Sequence, residues 1–316
     1  MSSTRRDFLI STGVVAGAAL LGCKPSRAPA QVNVSQRRVA QLVPGLPSAD
    51  GAGVRLSRVI GQPMLRNLDP FILLDRIHSD EPRDYAAGFP QHPHRGFETV
   101  TIMLDGNIEH RDSRGNHGII TGGGAQWMTA GRGIVHSEMP AQREGLFSGF
   151  QLWVNLPARE KMCAPYYHDL SPTVIREASL SQAGSHVRVI AGHVSGLDGP
   201  VRERPTQPTL LTLALEDDTP FTLDVARENA AFAFVHRGSV EIGRDGHSTH
   251  VPEGTLAVLS AGNRVRMRAL TQAAGVLFAA ARPIHEPIVQ RGPFVMNSEA
   301  EIEQAFADYR AGTLGT

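Results

Sequence analysis

His92-Pro93-His94 sets two imidazoles two residues apart, and His136-Ser137-Glu138 sets an imidazole and a carboxylate at the same spacing. On an extended segment successive side chains alternate between faces, so each i, i+2 pair projects to one side. Two such pairs on facing strands supply three nitrogen donors and one carboxylate oxygen, leaving up to two positions of an octahedron for water, substrate or dioxygen. Imidazole with carboxylate suits Fe(II), Mn, Ni, Cu or Zn, and open octahedral positions favour redox iron over four-coordinate zinc. Burying His136 and Glu138 without a partner is costly, which argues for a bound ion.

The same parity, carried along the chain, puts Glu98, Val100, Ile102 and Leu104 on the face of His92 and His94. The histidines and Glu98 are then predicted at one end of an apolar inward row, where a barrel interior offers a partly dry site. Arg95, Phe97 and Thr99 are predicted to face out of the barrel, and Trp127 to be packing.

The elements that must hold these residues read as short strands with turn punctuation. Phe97 to Leu104 runs into Asp105-Gly106, and Phe150 to Val154 runs into Asn155. This spacing predicts an all-β protein. Helical periodicity emerges only near the end, where Ile302, Ala305, Phe306 and Tyr309 share a face behind a Ser298-x-x-Glu301 capping box.

An internal repeat decides the architecture. Met103-Leu104-Asp105-Gly106 and Ala130-Gly131 match Val235-His236-Arg237-Gly238 and Ala261-Gly262, with glycine separations of 25 and 24 residues. Two copies of one small barrel are expected, over 31–165 and 166–285, followed by a tail and helix over 286–316. Aligning the copies puts Asp224 and Ala226 at the places of His92 and His94, and Met267 and Ala269 at those of His136 and Glu138. The second barrel is therefore expected to hold no metal, and its His236, His247 and His250 read as surface or turn residues.

The chain has 316 residues, 41% hydrophobic and 20% charged, enough for a sizeable core. Residues 1–30 read as an export signal: Arg5-Arg6-Asp7-Phe8-Leu9, a mildly apolar run from Ile10 to Gly22, then Ala28-Pro29-Ala30. The paired arginines resemble the twin-arginine signal of proteins exported already folded, which predicts a periplasmic or exported protein. Two processing sites compete, one after Ala30 and one at Cys23 with lipid attachment; the latter is the one expected route to a membrane. Cleavage after Ala30 leaves Cys163 as the single cysteine, so no intramolecular disulfide forms. Residues 31–316 then carry 27 basic and 30 acidic side chains, with no electrostatic footprint for nucleic acid.

Two long blocks bring a family into view. His92-Pro93-His94-Arg95-Gly96-Phe97-Glu98-Thr99-Val100 and the run Gln126-Trp127-Met128-Thr129-Ala130-Gly131-Arg132-Gly133-Ile134-Val135-His136-Ser137-Glu138-Met139-Pro140 resemble pirin. So do Asn67-Leu68-Asp69-Pro70-Phe71, Gln151 to Pro157, and Arg291-Gly292-Pro293-Phe294-Val295-Met296-Asn297. The resemblance implies a bicupin, two cupin (jelly-roll) barrels, with iron held in the first by His92, His94, His136 and Glu138. Glu98 occupies the place of the usual cupin carboxylate ligand. In pirin-like sites that ligand comes from the position of Glu138, so Glu98 is expected to orient a histidine through its other ring nitrogen.

Some pirin-like proteins are quercetin 2,3-dioxygenases. The resemblance thus implies a phenolic small-molecule substrate, a flavonol or related enediol, opened with O2 by a monomer containing Fe(II). Glu138 is expected to take the substrate hydroxyl proton, with Glu98 as the rival base. The alternative is a non-enzymatic, metal- or redox-dependent binding or regulatory protein, as nuclear pirins are; the export signal speaks against it.

Overall fold

The computed structural model describes residues 34–316; the predicted export segment, Cys23 and both processing sites lie outside the described residues. Phe71–Ser79, Phe97–Asp105 and Phe147–Asn155, each nine residues long and rich in β-branched and aromatic side chains, form the centre of an antiparallel sheet. Tyr166–Leu170 and Ala125–Thr129 extend it on one side, and Val54–Ile60 and Leu46–Asp50 on the other, giving seven strands. A four-stranded sheet, Phe89–His94, Ile134–Pro140, Asn107–Asp112 and His117–Thr121, completes the first barrel.

The second barrel repeats this plan. Its seven-stranded sheet is centred on Ala230–Arg237, Ala274–Ala281 and Thr209–Leu215, and its four-stranded sheet runs Phe221–Asp224, Arg264–Ala269, Ser239–Arg244 and His247–Pro252. Gly106 and Gly238 stand at equivalent turns, each with a positive φ, of 80° and 67°. The bicupin architecture predicted from the repeat is thus the observed one.

The boundaries at 31 and 165/166 do not coincide with the sheets. Val39–Pro44 pairs with Thr255–Leu259 at the edge of the second barrel, while Tyr166–Leu170 pairs with Ala125–Thr129 at the edge of the first. Each barrel's strand donor precedes the other barrel in the chain, a reciprocal exchange that covers both edges. The two large sheets pack face to face through a shared core that includes Val100, Ile102, Trp127, Leu152, Phe232, Phe234 and Leu277. Phe71 meets Phe232 edge-on at 5.0 Å.

The C-terminal segment belongs to the first barrel. Val295 N–H donates to Arg95 O (3.0 Å), and Arg95 reaches Asp308 on the helix Glu299–Arg310 at 2.7 Å. Ser298 caps that helix by accepting from Glu301 N–H, and the Glu301 carboxylate accepts from Asn297 N–H. Ile302 and Ala305 are buried and Phe306 packs on Phe294, but Tyr309, expected on the same face, is exposed.

Candidate metal centre

Antiparallel pairing sets His136 opposite His92 and Ile134 opposite His94, which brings both sequence pairs to one place in the first barrel. The rings of His92 and His136 lie 4.3 Å apart, those of His94 and His136 4.9 Å, and those of His92 and His94 4.7 Å. Potential donor atoms of the three fall within 4.8 Å of one another. The ladder with Phe89–His94 shifts register between His136 and Glu138, whereas the ladder with Asn107–Asp112 runs unbroken and sets Glu138 opposite His110. Glu138 joins His136 and His110 in a second such group. Among the described residues, these two groups are the ones close enough to hold an ion.

The imidazoles are prepared as ligands. His92 Nδ1 lies 2.8 Å from Pro90 O, which accepts only from a protonated nitrogen and so selects the tautomer whose Nε2 carries the lone pair. His94 Nδ1 faces Pro293 O at 3.4 Å in the same way. Nε2 of His94 and of His136 is buried with no hydrogen-bond partner. Burial, reinforced by neighbouring imidazoles, holds both rings well below the usual histidine pKa, so they are neutral. Orphaned, neutral lone pairs beside a buried carboxylate are what a divalent transition ion completes, so the donor set fits such a metal.

Glu138 is clamped on two sides. Thr101 Oγ1 lies 2.8 Å from its Oε1, and Gln151 Nε2 donates to its Oε2 at 3.3 Å. The cluster opens on a cavity of about 1090 Å³ whose lining includes His92, His94, Thr101, Met103, Phe147 and Trp153. Farther along the wall Arg58 is held bidentate by Asp75, at 2.9 and 2.7 Å, and also reaches Asp50.

Glu98 is elsewhere. The parity argument assumed one continuous strand, but His92 and His94 lie on the four-stranded sheet and Glu98 on the seven-stranded one. The chain changes sheet at Gly96, whose φ of 90° suits glycine and where an added Cβ would strike Val295 O. Parity resets at this corner. Thr101 and Met103 line the cavity, while Val100 and Ile102 join the core between the barrels.

Glu98 itself is fully buried, accepts from Thr129 Oγ1 at 2.7 Å and from Arg204 at 3.0 Å, and is absent from the cavity lining. Burial raises its carboxyl pKa, opposed by Arg204. The expectations that it orients a histidine or competes as base are corrected accordingly. Phe97, predicted to face out, instead meets His94 at 5.1 Å and Trp153 at 4.3 Å. Thr99 is buried, and Arg95 is buried beneath the C-terminal helix.

Two further residues were missed. His110 is fully buried beside His136 and Glu138; its signal, an inward position two residues beyond Ile108, is too weak alone. Lys161 is buried too, donating to Gly96 O (2.8 Å), Asn155 Oδ1 (2.6 Å) and Val295 O (2.9 Å), so that it pins the corner after His94 to the C-terminal segment.

In the second barrel the register corrects the alignment made from the glycine repeat. Met267 stands at the place of His136, but its ladder partner is Phe221, so Phe221 and Leu223, not Asp224 and Ala226, occupy the places of His92 and His94. All of these, with Ala269, are core residues. The chain between the two strands is longer there, which shifts the alignment. His247 and His250 are exposed as expected, whereas His236 packs on Phe150 between the barrels and burial lowers its pKa to about 3.

Comparison with known proteins agrees with this arrangement. The pirin family model matches residues 53–154, and the pirin C-terminal cupin domain model matches residues 210–315. A Pseudomonas aeruginosa protein whose name carries quercetin 2,3-dioxygenase as a provisional assignment is 45% identical over 284 residues, 88% of this chain and 98% of its own. A pirin-like protein of Caulobacter vibrioides is 44% identical, over 87% of this chain and 98% of its own. The crystal structure of quercetin 2,3-dioxygenase from Acinetobacter baumannii superposes with a TM-score of 0.82 at 32% identity, covering 89% of this chain and 99% of that one. On the fold, both family models and these relatives, the chain belongs to the pirin family.

Proposed function

We propose that the protein is an iron-dependent oxygenase of the quercetin 2,3-dioxygenase type, opening a flavonol or related enediol with O2, with His92, His94, His136 and Glu138 as ligands. The observation that carries this reading is that His92, His94 and the clamped Glu138 line a cavity of about 1090 Å³, near the upper end of the range for small-molecule sites, with the buried His136 grouped beside the two histidines. The names of the Pseudomonas and Acinetobacter proteins support the same substrate class.

Iron bound there supplies Lewis acidity toward an enediol hydroxyl and the redox capacity that dioxygen chemistry requires. The protein's own part is positioning and proton handling. Met103, Ile108, Phe147 and Trp153 give aromatic rings an apolar wall. Arg58 is neutralised by Asp75, so it adds no unpaired charge to that wall. Glu138, fixed by Thr101 and Gln151, is the base that receives the hydroxyl proton.

Oxygen uptake on adding quercetin to protein loaded anaerobically with Fe(II), run beside His94→Ala, tests the proposal. Uptake with loss of the flavonol spectrum in wild type alone is the expected result. No uptake despite confirmed iron overturns quercetin as substrate and favours a metal-dependent binding protein. The Arg5-Arg6 segment supports a further part of the reading, export of the folded protein. Replacing both arginines by lysine is then expected to retain the protein in the cytoplasmic fraction.

A further inference from the structure

We propose that His110 and Asp112 form a relay that fixes His136 in the ring form able to ligate the metal, making His110 a positioning residue of the centre. The inference rests on the metal reading above. His110 lies on the strand Asn107–Asp112, is 0% exposed, and places its Nδ1 3.4 Å from His136 Nδ1.

A contact between two ring nitrogens holds one proton, and the donor decides what each ring does at its far side. Were His110 the donor, His136 would carry its own proton on Nε2 and have no lone pair for an ion. With His136 as donor, its Nε2 is free and His110 carries its proton on Nε2. That atom's charged neighbour is Asp112 Oδ2, at 3.9 Å, with both side chains fully buried. The gap exceeds a hydrogen bond, but a carboxylate this near in a site of low polarity favours a proton on the facing nitrogen. Asp112 is itself fixed: Oδ1 accepts from Arg114 N–H and Asn116 N–H, and Oδ2 from Asn116 Nδ2. The Tyr167 ring lies 4.7 Å from that of His110 and limits its rotation.

The other two histidines need no such arrangement, since Pro90 O and Pro293 O face their Nδ1 atoms. His136 depends on a side chain for the same service. The second barrel supplies an independent observation. Its register puts Val240 opposite Ala269 and Ile242 opposite Met267, where the first barrel has His110 opposite Glu138 and Asp112 opposite His136. The barrel without ligands is also without the relay. His110 would alternatively be a ligand itself, since its donor atoms are within 4.8 Å of those of His136 and Glu138.

Cobalt(II) binding to the whole protein separates these, with affinity read by competition against a chromophoric chelator and the ligand set read from the visible spectrum. His110→Leu is expected to weaken binding roughly 10- to 100-fold with the spectral shape kept. His110→Gln, whose amide oxygen accepts from His136 as the proline carbonyls do for the other rings, is expected to regain most of that loss. Asp112→Asn can keep its turn contacts through Oδ1 and is expected to weaken binding several-fold; it carries the test if His110→Leu fails to fold. Unchanged affinity in His110→Leu and Asp112→Asn overturns the relay. So does an altered spectrum in His110→Leu with no recovery in His110→Gln, which makes His110 a ligand. Wild-type protein that binds no Co(II) removes the metal centre, and the relay with it.

Discussion

Each barrel pairs a seven-stranded sheet with a four-stranded one, yet the second is filled and the first is hollow. In the second, Val, Leu, Ala and Phe side chains from both sheets meet in one apolar cluster, with Met267 and Phe221 at the places of His136 and His92. In the first, the matching space holds imidazoles, the clamped Glu138 and the cavity, with a much smaller apolar cluster around Ile77, Tyr85 and Phe147. One topology thus serves two ends: the filled copy contributes stability through its own core and the shared inter-barrel core, and the hollow copy is left free to bind. Such a division is expected where a site's buried polar groups cost free energy that apolar packing elsewhere must offset.

The sharpest way to break this comparison is to remove volume from each copy. Phe278→Ala, in the packed interior of the second barrel, is expected to lower stability by about 3–5 kcal/mol in denaturant unfolding. Met103→Ala, at the cavity wall, only widens a space already present and should cost less, about 2 kcal/mol, the low end for such truncations. Equal losses would mean that the cavity closes in solution.

Removing one ligand comes next. Structural metal sites of four ligands are worth about 10–16 kcal/mol, or about 3 kcal/mol per ligand, so His94→Ala should weaken metal binding a hundredfold or more. Titration with Fe(II) or Co(II) measures it, and unfolding of the metal-free variant should show no matching loss.

Lys161 sharpens the contrast further, because it holds the hollow barrel from outside. Burial lowers its ammonium pKa from 10.5 to about 8. Between those values the unfolded chain keeps a proton that the folded chain has released, so this group's contribution to stability rises with pH across that window; the cost of the buried charge is fully present below it. Relative to Lys161→Met, wild type should gain about 3 kcal/mol from pH 8 to 10.5, measured by denaturant unfolding at each pH. A parallel pH profile would refute it.

The smallest effect is expected at Glu98. Glu98→Gln should leave metal affinity and oxygen uptake unchanged, because Glu98 faces Thr129 and the second barrel's Arg204. Glu138→Gln, in contrast, should lose most of the activity. Loss in Glu98→Gln with intact stability would return Glu98 to the chemistry.

Much of this was readable along the chain. The two i, i+2 pairs, the glycine repeat and the Ser298 capping box are local patterns set by the geometry of strands, turns and helix ends, so residue order alone determined them. Tertiary structure decided whatever depends on which strand lies beside which. Gly96 turns the chain from one sheet to the other, so parity counted from His94 cannot reach Glu98, and Thr101 takes the inward side instead. His110 becomes part of the site only through its register with Glu138, 28 residues away in the chain. Val39–Pro44 finds its partner more than 200 residues on, a pairing that nothing in its own composition encodes. Side-chain alternation is a property of a single strand, whereas register and edge exchange come from packing two sheets into each barrel and two barrels against each other.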